Sequence, residues 1–121
     1  MTVRQHVHVA GRVQGVFYRD TCRRLAEERG VAGWVRNLYD GDVEAVFEGS
    51  PDDVATMARW AAEGPPAARV DHCTGVAEEP EGLSGFRVLP DAPPQDNPPE
   101  GIPSEDILSE DIPPGADPGA R

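Results

Sequence analysis

Apolar and polar positions change period several times along the first ninety residues. Val3, Val7 and Val9 share one parity and Arg4, His6 and His8 the other, the period of a half-buried strand with both histidines facing outward. From Tyr18 the spacing becomes helical, through Cys22, Leu25, Ala26 and Arg29. Arg23–Glu27 and Arg24–Glu28 stand four apart on its polar side, and Gly30 supplies a stop. Residues 31–38 and 43–48 then read as strands flanking Asp40-Gly41, a hairpin turn signal. Ser50 is placed to cap a second helix, with Pro51 at its first position and Asp53 at capping-box spacing. Val54, Met57, Ala58 and Ala61 form its core face, and Gly64-Pro65-Pro66 ends it. A strand near residues 69–76 and a short one at 86–89 complete the series.

This β-α-β-β-α-β succession, followed by the short strand at 86–89, predicts an α+β fold, a ferredoxin-like sandwich with two helices on one face of an antiparallel sheet. It assigns one folded domain to residues 1–90. Residues 91–121 are expected to be a disordered tail: from Pro90 onward there are nine prolines and no aromatic residue, too little apolar surface to offset chain entropy. Within it Ser104-Glu105-Asp106-Ile107 is echoed by Ser109-Glu110-Asp111-Ile112. A solubilising extension and a short linear binding motif are both open readings of that segment.

Charge divides in the same way. Of the net −11, residues 1–90 hold −4 and residues 91–121 hold −7. Neither part has the basic surface that a nucleic-acid binder needs to release counterions, so no nucleic-acid partner is expected. No apolar run is long enough to span a membrane, and residues 1–6 do not open a signal peptide; a soluble, cytoplasmic protein is the expectation. Cys22 and Cys73 lie far apart without a CxxC and read as reduced, semi-buried side chains. Three scattered His and two Cys show no metal-ligand spacing.

Candidate chemistry sits where the first strand meets the first helix, at Gly11-Arg12-Val13-Gln14-Gly15-Val16-Phe17-Tyr18-Arg19. A glycine-containing strand-to-helix loop can turn successive N–H groups toward one point, with the positive end of the helix dipole behind them. Arg19, in the first helical turn, faces the unfavourable end of that dipole unless an anion lies between them. It is then either an anion ligand or a surface arginine reaching for a neighbouring acid. Asn37 shares parity with Val35, so it points toward the covered face or its rim, where an amide is unusual in a strand. It is either a hairpin-opening residue or an amide that holds a water and an anion.

The stretch Gly11-x-Val13-Gln14-Gly15-Val16-x-Tyr18-Arg19 resembles the first signature of the acylphosphatase family. Gly33-Trp34-Val35-Arg36-Asn37, continued by Gly41, Val43 and Gly49, resembles the second. The resemblance covers roughly residues 3–89. It implies a metal-free hydrolase without cofactor, acting on small-molecule acyl phosphates. The backbone N–H groups of Gly15, Val16, Phe17, Tyr18 and Arg19, with the Arg19 guanidinium, would hold the phosphate, and Asn37 would orient the attacking water. Consistently, Cys22 lacks the arginine six residues on that a Cys-x5-Arg phosphatase requires, and the hairpin turn explains Asp40-Gly41-Asp42 better than an aspartyl nucleophile pair does.

Two rival classes make different demands on the sequence. An RNA-recognition module would need aromatic and basic residues on its central strands, against a net charge of −4. An acylphosphatase-like domain serving carbamoyl phosphate chemistry within a larger maturation protein would continue into further folded segments. A monomer is the default for this size.

Overall fold

The computed structural model describes residues 1–94. Seven elements follow one another: β1 (Val3–Arg12), α1 (Tyr18–Arg29), β2 (Ala32–Asn37), β3 (Val43–Gly49), α2 (Pro51–Glu63), β4 (Arg69–Glu78) and β5 (Phe86–Val88). The strands form one sheet in the order β4-β1-β3-β2-β5, with β1–β3, β1–β4 and β2–β3 antiparallel. The short edge strand β5 departs from the all-antiparallel expectation: it runs parallel to β2, Gly33 opposite Phe86 and Val35 opposite Val88. The crossover is reached through residues 79–85 and brings β5 under α1. Pairing continues past residue 90, where Ala92 N–H donates to the Asn37 carbonyl at 3.0 Å and its carbonyl accepts from Tyr39 N–H at 2.8 Å. Most of the expected tail, residues 95–121, lies outside the described residues.

Both helices cover one face of the sheet. Val7, Val9, Val35, Val43, Ala45 and Phe47 bury against Tyr18, Cys22 and Ala26 of α1 and Val54, Met57 and Ala61 of α2. The helix ends follow their local sequence. Gly30 closes α1 in the left-handed region, and Asp53 N–H donates to the Ser50 hydroxyl oxygen at 3.2 Å while that hydroxyl donates to the Asp53 carboxylate at 3.0 Å. Cys22 and Cys73 are free thiols, the first buried. Among the described residues, no helix is long and apolar enough to cross a membrane.

The opposite face is less wet than strand parity implies. Arg4 is buried, donating to Glu48 at 2.7 Å and Glu78 at 2.8 Å. Glu48 also accepts the N–H groups of Glu81, Gly82 and Leu83, which folds the 79–85 loop over it. His6 lies between two carboxylates, Nε2 2.6 Å from Glu44 and Nδ1 2.8 Å from Glu78. Both ring nitrogens face acceptors only, so this arrangement selects the imidazolium. Burial alone would disfavour that charge, but the hydrogen bonds and charges of Glu44 and Glu78 outweigh it and raise the His6 pKa. Burial likewise opposes ionisation of Glu44 and Glu78, and their bonds to His6, Arg36 and Arg4 hold both below the usual carboxylate range.

These shifts give a stability profile. The His6 contribution is complete below its unfolded value of about 6.5 and is lost as pH rises through its higher folded value. The carboxylate contribution is present above about 4.5 and is lost as pH falls through the lower folded values. Urea midpoints at pH 5.5 and 8.5 are therefore expected to differ more for the wild type than for His6→Gln, the wild type losing stability at the higher pH. Equal pH slopes would show that His6 is neutral in the fold.

Candidate active site

The loop between β1 and α1 is held in place on three sides. The β1–β4 register shifts between Ala10 and Gly11, and a Cβ at Gly11, whose φ is +134°, would lie 2.2 Å from the Arg69 carbonyl oxygen. Val13 and Val16 insert into the core. Gln14 reaches the other way, its amide donating to the carbonyls of Leu38 at 2.7 Å and Asp42 at 2.9 Å. Tyr18 is buried against the Trp60 ring, and its hydroxyl donates to the Ala61 carbonyl of α2 at 2.6 Å. The residues facing out, Gly15 and Phe17, both adopt left-handed backbone, at φ +73° and +66°.

Helix α1 therefore begins at a fixed point, and it begins uncapped. Phe17 is its N-cap residue and offers no side-chain cap hydrogen bond; the first backbone bond of the helix runs from Thr21 N–H to the Phe17 carbonyl. The N–H groups ahead of Thr21 are those a helix cannot satisfy internally. With the dipole behind them, they suit an anion.

Asn37 lies at the end of β2, on the helix-covered face. Only 7% of it is exposed, yet its Oδ1 accepts no hydrogen bond from any described residue. A buried acceptor left this way costs about 1–3 kcal/mol, a cost tolerated where the atom has a partner in function. Asn37 faces a cavity of about 520 Å³ whose walls also include Gly15, Phe17, Tyr18, Arg19 and Val88. Of the residues singled out in the sequence, Val16 alone does not line it; its side chain packs in the core. Arg19 is partly exposed, and one guanidinium nitrogen lies 3.5 Å from the Asp91 carboxylate, so an anion can reach this side chain.

The Acylphosphatase family profile matches residues 5–88. The chain is 55% identical over 87 residues to an acylphosphatase of Gloeobacter violaceus, covering 72% of this chain and 94% of that protein. To one of Thermococcus kodakarensis it is 54% identical over 87 residues, with 72% and 96% covered. The solved structure of an acylphosphatase from Coxiella burnetii superposes with a TM-score of 0.70 at 43% identity, covering 73% of this chain and 93% of that one. The chain belongs to the acylphosphatase family.

The geometry explains why the first acylphosphatase signature specifies what it does. Its fixed side chains anchor the loop (Val13, Gln14, Val16 and Tyr18) or sit in the cavity wall (Arg19). Its two unspecified positions, Arg12 and Phe17, are exposed. Two contributions were missed in the sequence. Gln14 ties the loop, and with it the start of α1, to the β2–β3 hairpin whose first strand carries Asn37. Asp91, counted with the tail, stands beside Arg19. Neither pairing has a local signal, since the partners are 24 to 72 residues apart along the chain.

Proposed function

We propose that this chain hydrolyses acyl phosphates to a carboxylate and inorganic phosphate, with Arg19 and the N–H groups of Gly15, Val16, Phe17, Tyr18 and Arg19 holding the phosphoryl group and Asn37 orienting the water. The observation that carries this reading is the buried, unpaired Asn37 Oδ1 in the same cavity as Arg19 and the uncapped start of α1. An amide has both polarities there: Oδ1 accepts from a water O–H, and Nδ2 donates to a phosphoryl oxygen. In the step itself the water oxygen bonds to phosphorus, the bond from phosphorus to the acyl oxygen breaks, and the carboxylate leaves with that electron pair. The water's proton passes to a phosphoryl oxygen of the substrate, so no side chain is needed as general base.

The leaving group is the conjugate base of a fairly strong acid, so positioning and charge stabilisation supply most of what the reaction requires. A simple phosphate ester lacks such a leaving group. We assign the activity to residues 1–90. The test is hydrolysis of benzoyl phosphate in EDTA, beside p-nitrophenyl phosphate. Turnover of the first, undiminished by the chelator, with little or none of the second is expected. Loss of benzoyl phosphate turnover on chelation would overturn the metal-free mechanism, and equal failure on both substrates would overturn the hydrolase reading.

A further inference from the structure

Phe17 combines two unfavourable features at one position. It is the one non-glycine residue with positive φ among those described, and 79% of it is exposed. Left-handed backbone is uncommon for a bulky side chain, and an exposed phenyl ring gains nothing from burial. The exposed ring is not needed to hold the loop, because the anchoring is done by Val13, Gln14, Val16 and Tyr18. Such an outlier at a cavity wall points to a ligand. Val88, also exposed, lines the same cavity from β5.

We propose that the Phe17 side chain, with Val88 beside it, is the acyl-group subsite, and that it makes the enzyme favour acyl phosphates with an apolar, preferably aromatic, acyl group. This rests on the reading of the site given above. A phosphate held at the start of α1 leaves its acyl carbon only two bonds from phosphorus, so the acyl group must lie against the rim of the cavity. There it meets a phenyl face and a branched aliphatic side chain. The one further cation in the wall, Arg23, is engaged by Asp20 at 3.1 Å and Glu27 at 3.6 Å. With Asp20 also in the wall and Asp91 at the Arg19 guanidinium, an acyl group bearing its own carboxylate is disfavoured.

The readout is the ratio of kcat/KM for benzoyl phosphate to that for acetyl phosphate, in which any effect on the backbone cradle cancels. Phe17→Asn, which tolerates left-handed backbone, is expected to lower this ratio by about tenfold, the size of one lost aromatic contact with its buried area. Phe17→Tyr, which keeps the ring, is expected to hold the ratio within about twofold of the wild type. A ratio unchanged in Phe17→Asn, with acetyl phosphate still hydrolysed, overturns the subsite and leaves the hydrolase reading standing. Absence of hydrolysis of both acyl phosphates by the wild type removes the hydrolase reading and the subsite with it.

Discussion

Asn37→Ala is expected to lower kcat for benzoyl phosphate by about 10²–10³-fold, with KM within a fewfold of the wild type and the melting temperature unchanged or raised. The magnitude is that of removing one preorganised hydrogen-bonding group from a transition state. KM is expected to be largely spared because, in the proposed mechanism, Arg19 and the backbone N–H groups would carry the ground-state hold on phosphate while the amide would act chiefly on the water, whose placement matters only as the new bond forms. The stability arm follows from the same atom. Oδ1 is buried without a partner, so deleting it removes a desolvation cost of about 1–3 kcal/mol, against which the small void left behind is counted. A catalytic loss without a stability loss separates the water-orienting role from a structural one. A variant that turned over normally would end the role assigned to Asn37, and one that lost activity only by unfolding would show the amide to be part of the core.

Arg19→Ala is expected to raise KM for benzoyl phosphate and the inhibition constant of inorganic phosphate together, each by on the order of 10–10²-fold. One charge-assisted hydrogen bond contributes about 1.5–3 kcal/mol. The side chain is partly exposed and already faces Asp91 at 3.5 Å, so screening and competition keep the effect toward the lower part of that range. Arg19→Lys retains the charge without the planar fork and is expected to fall between the two. Removal of the guanidinium also leaves the Asp91 carboxylate uncompensated beside the site. Part of the loss in Arg19→Ala is therefore repulsion, and the double variant with Asp91→Ala is expected to recover a fewfold of phosphate affinity. Inhibition by phosphate at wild-type strength in Arg19→Ala would place the anion elsewhere. The parallel shift of the two constants distinguishes this residue from Asn37, which is expected to move kcat.

Much of the molecule is decided by short-range sequence alone. The change of period at Tyr18, the stop at Gly30, the Asp40-Gly41 turn and the Ser50-Pro51-Asp53 cap each rest on interactions within a few residues, and each element forms where its local chemistry puts it. The β1–α1 loop is of the same kind, because Gly15 and the first turn of α1 are neighbours in the chain. The two signatures add the family by resemblance, one in the β1–α1 loop and the other on β2 and β3.

What only the tertiary structure decided depends on residues far apart. Strand parity separates the two sides of β1, but it carries no information on what covers each side. Arg4 and His6, placed by parity on the outward face, are enclosed by Glu44, Glu48 and Glu78, which arrive from β3 and β4. The parallel course of β5 and the pairing of Ala92 with Asn37 and Tyr39 follow from where the 79–85 loop crosses, a loop pinned by Glu48. Asn37 had two local readings of equal standing. Its burial with an unpaired Oδ1, opposite Arg19 and Phe17, was settled by packing α1 and β5 around the end of β2. Local patterns fix conformations of adjacent residues, whereas a buried polar atom acquires its cost, and hence its meaning, from every element that excludes water around it.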